Sequence, residues 1–443
     1  MTDVEPDTRP PSARYAWYVV GVLCLAYVFA LLDRQVLSLL VAPMRADLGL
    51  SDTQVSLLQG FSFAVLYAAF GLLLGRLADT GNRRALIGGG MALWSGFTTA
   101  CGLAQRYWQL LVLRMGVGLG EATLAPAAYS LLADYFPAER RATGFSVFSM
   151  GIYVGVGLAS VLGGLVVQYS VGGGAPVLPL LGALRPWQLV FVAIGLPGLL
   201  VALLLVTVRE PRRHGEAPAV PLRAVVAHAR AHLATFASVI LGISLISLAN
   251  YGAAAWMPSV FIRDHGWSIA RAGVFQGIVA GVGGAIGIVA GGAIADRMER
   301  RGRRDAYPRV AAVTALLLLP CGTVYLVMPT GVLAGAAFVP LGLLAAVPFG
   351  VGPAAVQQLV PPTMRGQAIA VYLFLINLIG LGAGPTAVAL LTDHWFRDDR
   401  AVNLSLLLVA AVAYVGAAIL LWRGLPRFAA SRDRLAVTGG AAG

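Results

Sequence analysis

Twelve apolar runs, each near the roughly 20 residues with which a helix crosses a hydrocarbon core of about 30 Å, leave this chain one class of fold. They lie at 15 to 41, 53 to 78, 85 to 105, 108 to 132, 141 to 168, 187 to 208, 233 to 262, 269 to 294, 308 to 328, 331 to 357, 364 to 391 and 399 to 422. Lipid offers backbone N–H and C=O groups no partners, so each run is expected to be a helix that satisfies them internally. Composition agrees: 443 residues that are 58% hydrophobic and 12% charged cannot assemble a water-soluble surface. The expected fold is an all-α membrane protein.

The net charge of +12 is carried entirely by arginine, because the chain has no lysine. A nucleic-acid partner is excluded by where the arginines fall, which is mainly in alternate loops. With a cytoplasmic N-terminus, about 23 of them lie inside, among them Arg212, Arg213, Arg300, Arg301, Arg303 and Arg304, and about seven outside. Both termini are therefore expected in the cytoplasm. The first run is long and lacks a small-residue cleavage site, so it is expected to be retained as a helix. Cys24, Cys101 and Cys321 all fall within runs, where they are expected to pack as small apolar residues. The absence of lysine suggests a GC-rich bacterial genome and hence an inner (plasma) membrane.

Features recur at an offset of about 217 residues. "LGLS" at Leu48 to Ser51 answers "HGWS" at His265 to Ser268, Gln59-Gly60 answers Gln276-Gly277, and "GRLAD" at Gly75 to Asp79 answers "GAIAD" at Gly292 to Asp296. "PAER" ending in Arg140 resembles "PTMR" ending in Arg365. The expected organisation is a tail (1–14), a six-helix bundle (15–208), a basic proline-containing linker (209–232), a second six-helix bundle (233–422) and a tail (423–443). His214, His228 and His232 in the linker are expected on a solvated face. Two related six-helix halves form the architecture of a transporter that rocks around a site between them. Neither a nucleophile-plus-base constellation nor a metal-ligand cluster stands within the runs, so neither an enzyme nor a cofactor or metal site is expected.

Several motifs resemble the major facilitator superfamily. "GRLADTGNRR", Gly75 to Arg84, is similar to its loop signature between the second and third helices, and "RMGVGLGEA", Arg114 to Ala122, resembles the fourth-helix pattern of its spinster-like branch. "LLDRQVLSLL" and "NLIGLGAGP" extend the likeness through the first and eleventh helices. Thr80 and Asn82 depart from the loop signature, and "GIYVGVGLASVLGG" lacks the proline of the antiporter motif. The resemblance implies gating by Gly75, Asp79, Arg83, Arg84 and Arg140 in the first half and by Asp296, Arg297 and Arg365 in the second. It implies lipid-like amphiphiles as substrates, such as lysophospholipids or sphingoid-type lipids, and a monomer.

Four charged residues lie more than three positions inside the ends of the runs: Asp33 and Arg34 on the first, Arg114 and Glu121 on the fourth. Each costs roughly 2.5 to 3.5 kcal/mol at the bilayer centre, so pairing in the interior is expected. With about 1.5 Å of rise per residue, Asp33 and Arg114 reach the same depth and should meet, while Glu121 lies about two turns deeper, within reach through water or substrate. At the 217-residue offset Asp33 matches Asn250 and Arg34 matches Tyr251, so the second half keeps polar shape without charge. Asp33, paired to Arg114, is accordingly the expected proton-exchanging carboxylate and Glu121 the second; a permanently charged lock between helices is the alternative. Arg114, Glu121, Asn250, Tyr251, Trp256, Phe338, Gln357, Tyr372 and Asn377 are the expected substrate contacts, with Phe349 and Phe374 beside them. Partners would be an amphiphile, protons and membrane lipids. A proton-coupled symporter of a small organic anion, or a uniporter, fits the same residues.

Overall fold

A computed structural model of the chain describes residues 12–136, 138–172, 177–178, 182–211, 222–361 and 364–440. The protein is an all-helical, multi-pass membrane protein built of two six-helix bundles. The first half consists of helices at Ala13–Leu39, Asp52–Thr80 (broken by one π turn at Leu57–Phe61), Arg83–Cys101, Tyr107–Tyr135, Ala138–Gly172 and Pro186–Leu204. The second half consists of Leu233–Arg263, Ile269–Arg300, Ala306–Val324, Gly331–Gln357, Arg365–Phe396 and Val402–Gly440. Among the described residues, eleven spans are long and apolar enough to cross a bilayer. The other helix, the third, carries Gly88, Gly89 and Gly90 and opens on two arginines, which lowers its hydropathy. A two-residue β pair, Val177–Leu178 against Gly182–Ala183, lies between the fifth and sixth helices.

The duplication is visible in the backbone. Gly49 and Gly266, 217 positions apart, both adopt left-handed φ, at 65° and 64°, which glycine reaches without a Cβ penalty. Two residues later Ser51 and Ser268 cap the second and eighth helices, their hydroxyls accepting from Gln54 N and Arg271 N, each at 3.2 Å. The repeated glycine of "QG" does the same work in both halves. A Cβ on Gly60 would stand 2.3 Å from the Leu381 carbonyl oxygen of the eleventh helix, and one on Gly277 2.5 Å from that of Gly157 in the fifth. Each half thus presses a bare backbone against the other at the end of the bundle away from the termini, called the far end below. Gly164 against Gly273 extends the seam between the fifth and eighth helices.

Two terminal segments differ from expectation. The twelfth helix continues to Gly440, well beyond 422, because Leu425 and Phe428 still find buried seats against the bundle. In the linker, Leu222–Ala231 is helical, and its His228 is half-buried rather than solvated. The His228 ring bonds the Leu359 carbonyl through Nε2 at 2.8 Å and lies 5.0 Å from the ring of His232. His214 lies outside the described residues.

Burial, then His228, then Arg434 hold the His232 imidazole below its ordinary range. A base whose folded value lies below its unfolded one binds fewer protons when folded, so the stability it contributes is present above the unfolded range near pH 6.5 and falls as the pH drops through it. Acidification should therefore loosen the linker helix, read as faster amide exchange in residues 222–231. His232→Gln should flatten that dependence; an unchanged one would remove His232 as its source.

Candidate functional site

The first helix contributes Asp33 and Arg34, the third Thr98, and the fourth Arg114 and Glu121, and the halves close over them. Asp33 accepts from Thr98 Oγ1 at 2.8 Å and forms an ion pair with Arg114; both side chains are 2% exposed or less. The tight approach of the fourth helix has a visible cause, since a Cβ on Gly118 would stand 2.4 Å from the Phe63 carbonyl oxygen and one on Gly116 2.6 Å from the Phe97 ring. Gly120 meets Gly90 and Trp94 in the same way.

Glu121 reaches neither Asp33 nor Arg114. It is ion-paired with Arg34, a pairing that counting residues along each helix did not anticipate. Side chains tilt toward the N-terminus of their helix, so the long arm of Arg34 drops toward the termini while its Cα stays level with Asp33. Phe63 lies between the two cations, with the Arg34 guanidinium 4.3 Å and that of Arg114 5.9 Å from its ring centroid. Such cation–π contacts partly replace lost hydration.

The four charges face different surroundings. Arg114, expected to contact substrate, is buried in this structure, and the more open cation, with 23% of its side chain exposed, is Arg34. Glu121 Oε2, Arg34 Nε, and Arg114 Nε and Nη2 have no hydrogen-bond partner. Around the Arg34–Glu121 pair stand half-buried tyrosines: Tyr67, Tyr27 and Tyr251 lie within electrostatic reach of both, and Tyr153 is close to Tyr129 and Tyr251. Tyr251 also meets the Phe349 ring edge-on at 6.2 Å.

Other expected contacts are placed elsewhere. The Asn250 amide donates to the Ala345 carbonyl at 3.1 Å and accepts from Tyr414 Oη at 2.8 Å, so it ties helices of the second half together. Trp256 is fully buried with its indole N–H on the Pro385 carbonyl, and Phe338 packs among Phe261, Phe275 and Tyr325 in the core of that half. Gln357 is exposed, Tyr372 is buried with an unpartnered hydroxyl, and the half-exposed Asn377 donates to its own helix at Leu373. Phe374 is half-buried on the eleventh helix.

Of the expected gating residues, Arg83 is buried, ion-paired with Asp134, and donates to Glu210 Oε1 at 2.7 Å, all within the first half and the start of the linker. Arg84 N donates to Glu210 Oε2 at 2.9 Å. Gly75 has open space at its Cβ position, Asp296 accepts from Tyr307 Oη at 2.7 Å, and Arg297 and Arg365 are exposed. The side chains of Asp79 and Arg140 lie outside the described residues.

The far end holds an ion network that the sequence did not announce. Asp52, fully buried, receives both Arg263 Nη atoms from the second half at 2.8 and 2.9 Å and Arg45 from its own at 3.0 Å. Arg45 also donates to both Asp399 carboxylate oxygens at 3.0 and 2.9 Å, and Asp393 accepts from Thr53 N at 2.6 Å. Together with the glycine seams this ties the halves at the far end.

The Major Facilitator Superfamily model matches residues 23–385 of this chain. The chain belongs to this superfamily, a family of transporters. It is 33% identical over 431 residues, covering 94% of each chain, to an MFS-type efflux pump of Mycolicibacterium smegmatis. It is 28% identical to protein spinster homolog 1 of Bos taurus, covering 93% of this chain and 81% of the relative. Among solved structures it is similar to a bacterial homologue of the human lysosomal transporter spinster in an inward-facing, unoccupied conformation. There the TM-score is 0.77 and the identity 26%, over 96% of this chain and 98% of the other. The spinster resemblance stated from "RMGVGLGEA" therefore extends over the whole fold.

Proposed function

We propose that this facilitator-superfamily protein is a proton-influenced secondary transporter of lipid-like anionic amphiphiles, of lysophospholipid or sphingoid type, working by rocker-switch alternating access as a monomer. The observation that carries the reading is Arg34: partly exposed and held by a buried carboxylate, Glu121, that has one oxygen unpartnered. An anionic head entering from the termini end competes with Glu121 for the guanidinium. Losing the Arg34 guanidinium would leave Glu121 a buried charge without that ion pair, a cost that proton uptake removes. Substrate and proton are linked at one pair. Asp33, sealed by Thr98 and Arg114, is the second proton site, released when the helices re-pack between states. The tyrosine ring and Phe349 offer amphipathic walls to the rest of the molecule, and the similarity to spinster proteins supports a lipid-like substrate. With the termini in the cytoplasm, as the arginine distribution indicates, this state faces inward in a bacterial inner membrane.

The test is flux of a labelled lysophospholipid into proteoliposomes with and without a pH gradient. Arg34→Gln should lower flux by about ten- to a hundredfold, the size of a lost charge-assisted hydrogen bond. Glu121→Gln should leave flux while removing its response to the gradient. Gradient-stimulated flux surviving Glu121→Gln would sink the linkage. A guanidinium accepts carboxylate as readily as phosphate. The second reading is therefore a small organic anion, favoured if the folded protein moves no lysophospholipid but moves such an anion through Arg34.

A further inference from the structure

The outer surface of the twelfth helix carries an exposed apolar stripe, Leu404, Leu408, Val412, Val415, Ile419 and Trp422. Eighteen residues at 1.5 Å each make it about 27 Å long, close to a hydrocarbon core. The stripe ends on Trp422, the residue type that settles at a membrane–water boundary, and the next exposed residues of the helix are Arg423, Pro426 and Arg427. The neighbouring ninth helix repeats the pattern at the same level, because Arg309, one turn before its exposed Val313, places its guanidinium 5.7 Å from the Trp422 ring. Two independent helices therefore put guanidinium groups at the depth of lipid phosphates.

We propose that this exposed end of the twelfth helix is a binding site for an anionic phospholipid, its phosphate held by Arg423 and Arg427 and its upper acyl chain beside Trp422. The charge balance favours that occupant. Nearby carboxylates are already engaged: Asp305 by Arg309 at 2.5 Å, Glu299 by Arg432 at 2.7 Å and Asp433 by Arg304 at 3.5 Å. Neither Arg423 nor Arg427 forms an ion pair among the described residues. The platform is rigid as well, since Leu421, Leu425 and Phe428 anchor the helix's inner face and Arg432 also holds the Arg304 carbonyl at 2.9 Å. A zwitterionic lipid offers the same phosphate with a compensating cation, so the excess positive charge selects the anionic one. The site is independent of the transported substrate and of the direction of transport.

The experiment places the whole purified protein in nanodiscs of phosphatidylcholine and phosphatidylglycerol and counts retained lipids by native mass spectrometry. Wild type should keep phosphatidylglycerol in preference. Retention should fall about fivefold for each arginine removed in Arg423→Gln and Arg427→Gln. The Arg423→Lys, Arg427→Lys double variant should keep most of the preference, because the charge is retained. All these side chains are exposed, so melting in phosphatidylcholine alone should be unchanged. Equal retention of the two lipids by wild type, or equal phosphatidylglycerol retention by wild type and the double glutamine variant, would overturn the site.

Discussion

Asp33→Asn is expected to lower the melting temperature of the purified protein and to weaken gradient-stimulated flux, while Asp33→Asn combined with Arg114→Gln recovers the stability and not the coupling. The single change leaves Arg114, 1% exposed and with two donor nitrogens already unpartnered, as a buried cation without a counter-ion. Breaking a buried pair from one side costs about 3 to 5 kcal/mol, whereas replacing both partners is often close to neutral. Thr98 can still donate to an asparagine oxygen, so the hydrogen bond at 2.8 Å is kept and the loss reports the charge. Melting curves and proteoliposome flux measured on the same preparations separate the two roles. Full gradient stimulation in the double variant would show that Asp33 only locks helices, and unchanged melting in the single variant would show that the pair does not even do that.

Gly277→Val should shift the protein toward a state open at the far end. The new Cβ would stand 2.5 Å from the Gly157 carbonyl oxygen and 2.8 Å from Val161 Cγ2, and a backbone oxygen on a packed helix has little room to move. Overpacking of this kind costs about 1 to 3 kcal/mol, and here the cost falls on one conformation alone, because parting the halves relieves it. Such a difference changes the ratio of the two states roughly 5- to 150-fold. Asp52→Asn should act in the same direction by weakening the hold of Arg263 across the seam. The reporter is labelling of Thr53→Cys by a membrane-impermeant maleimide, in a background without Cys24, Cys101 and Cys321. Labelling should rise in both variants and flux should fall; unchanged labelling with normal flux would mean that this seam does not control closure.

Much of the architecture was legible because the bilayer simplifies the reading. An apolar run must be a helix, its length is fixed by membrane thickness, and all twelve runs are helices. The duplication was equally plain: Gly49 with Gly266 and Ser51 with Ser268 are local signals whose meaning, a left-handed turn and a cap, does not depend on distant residues. The meeting of Asp33 with Arg114 could be reached by counting rise along two antiparallel helices. The same counting missed Arg34 with Glu121, because it tracks Cα height and ignores that a long side chain reaches toward its own helix N-terminus. Nor could counting show that the polar groups of Asn250 and Trp256, which suit a cavity in composition, here bond to Ala345, Tyr414 and Pro385.

Sequence alone thus determined what the solvent dictates: spans, halves, charges confined to the interior, and a basic face at alternate loops. Which charge stays partly exposed, which tyrosines surround it and at which end the halves are tied were decided by tertiary structure. Those outcomes depend on side-chain reach and on contacts between helices distant in the chain, such as Asp52 with Arg263 or Gly60 with Leu381. Burial in lipid constrains each helix by its own composition, but pairing depends on the one packing in which bare glycine backbones let the helices touch.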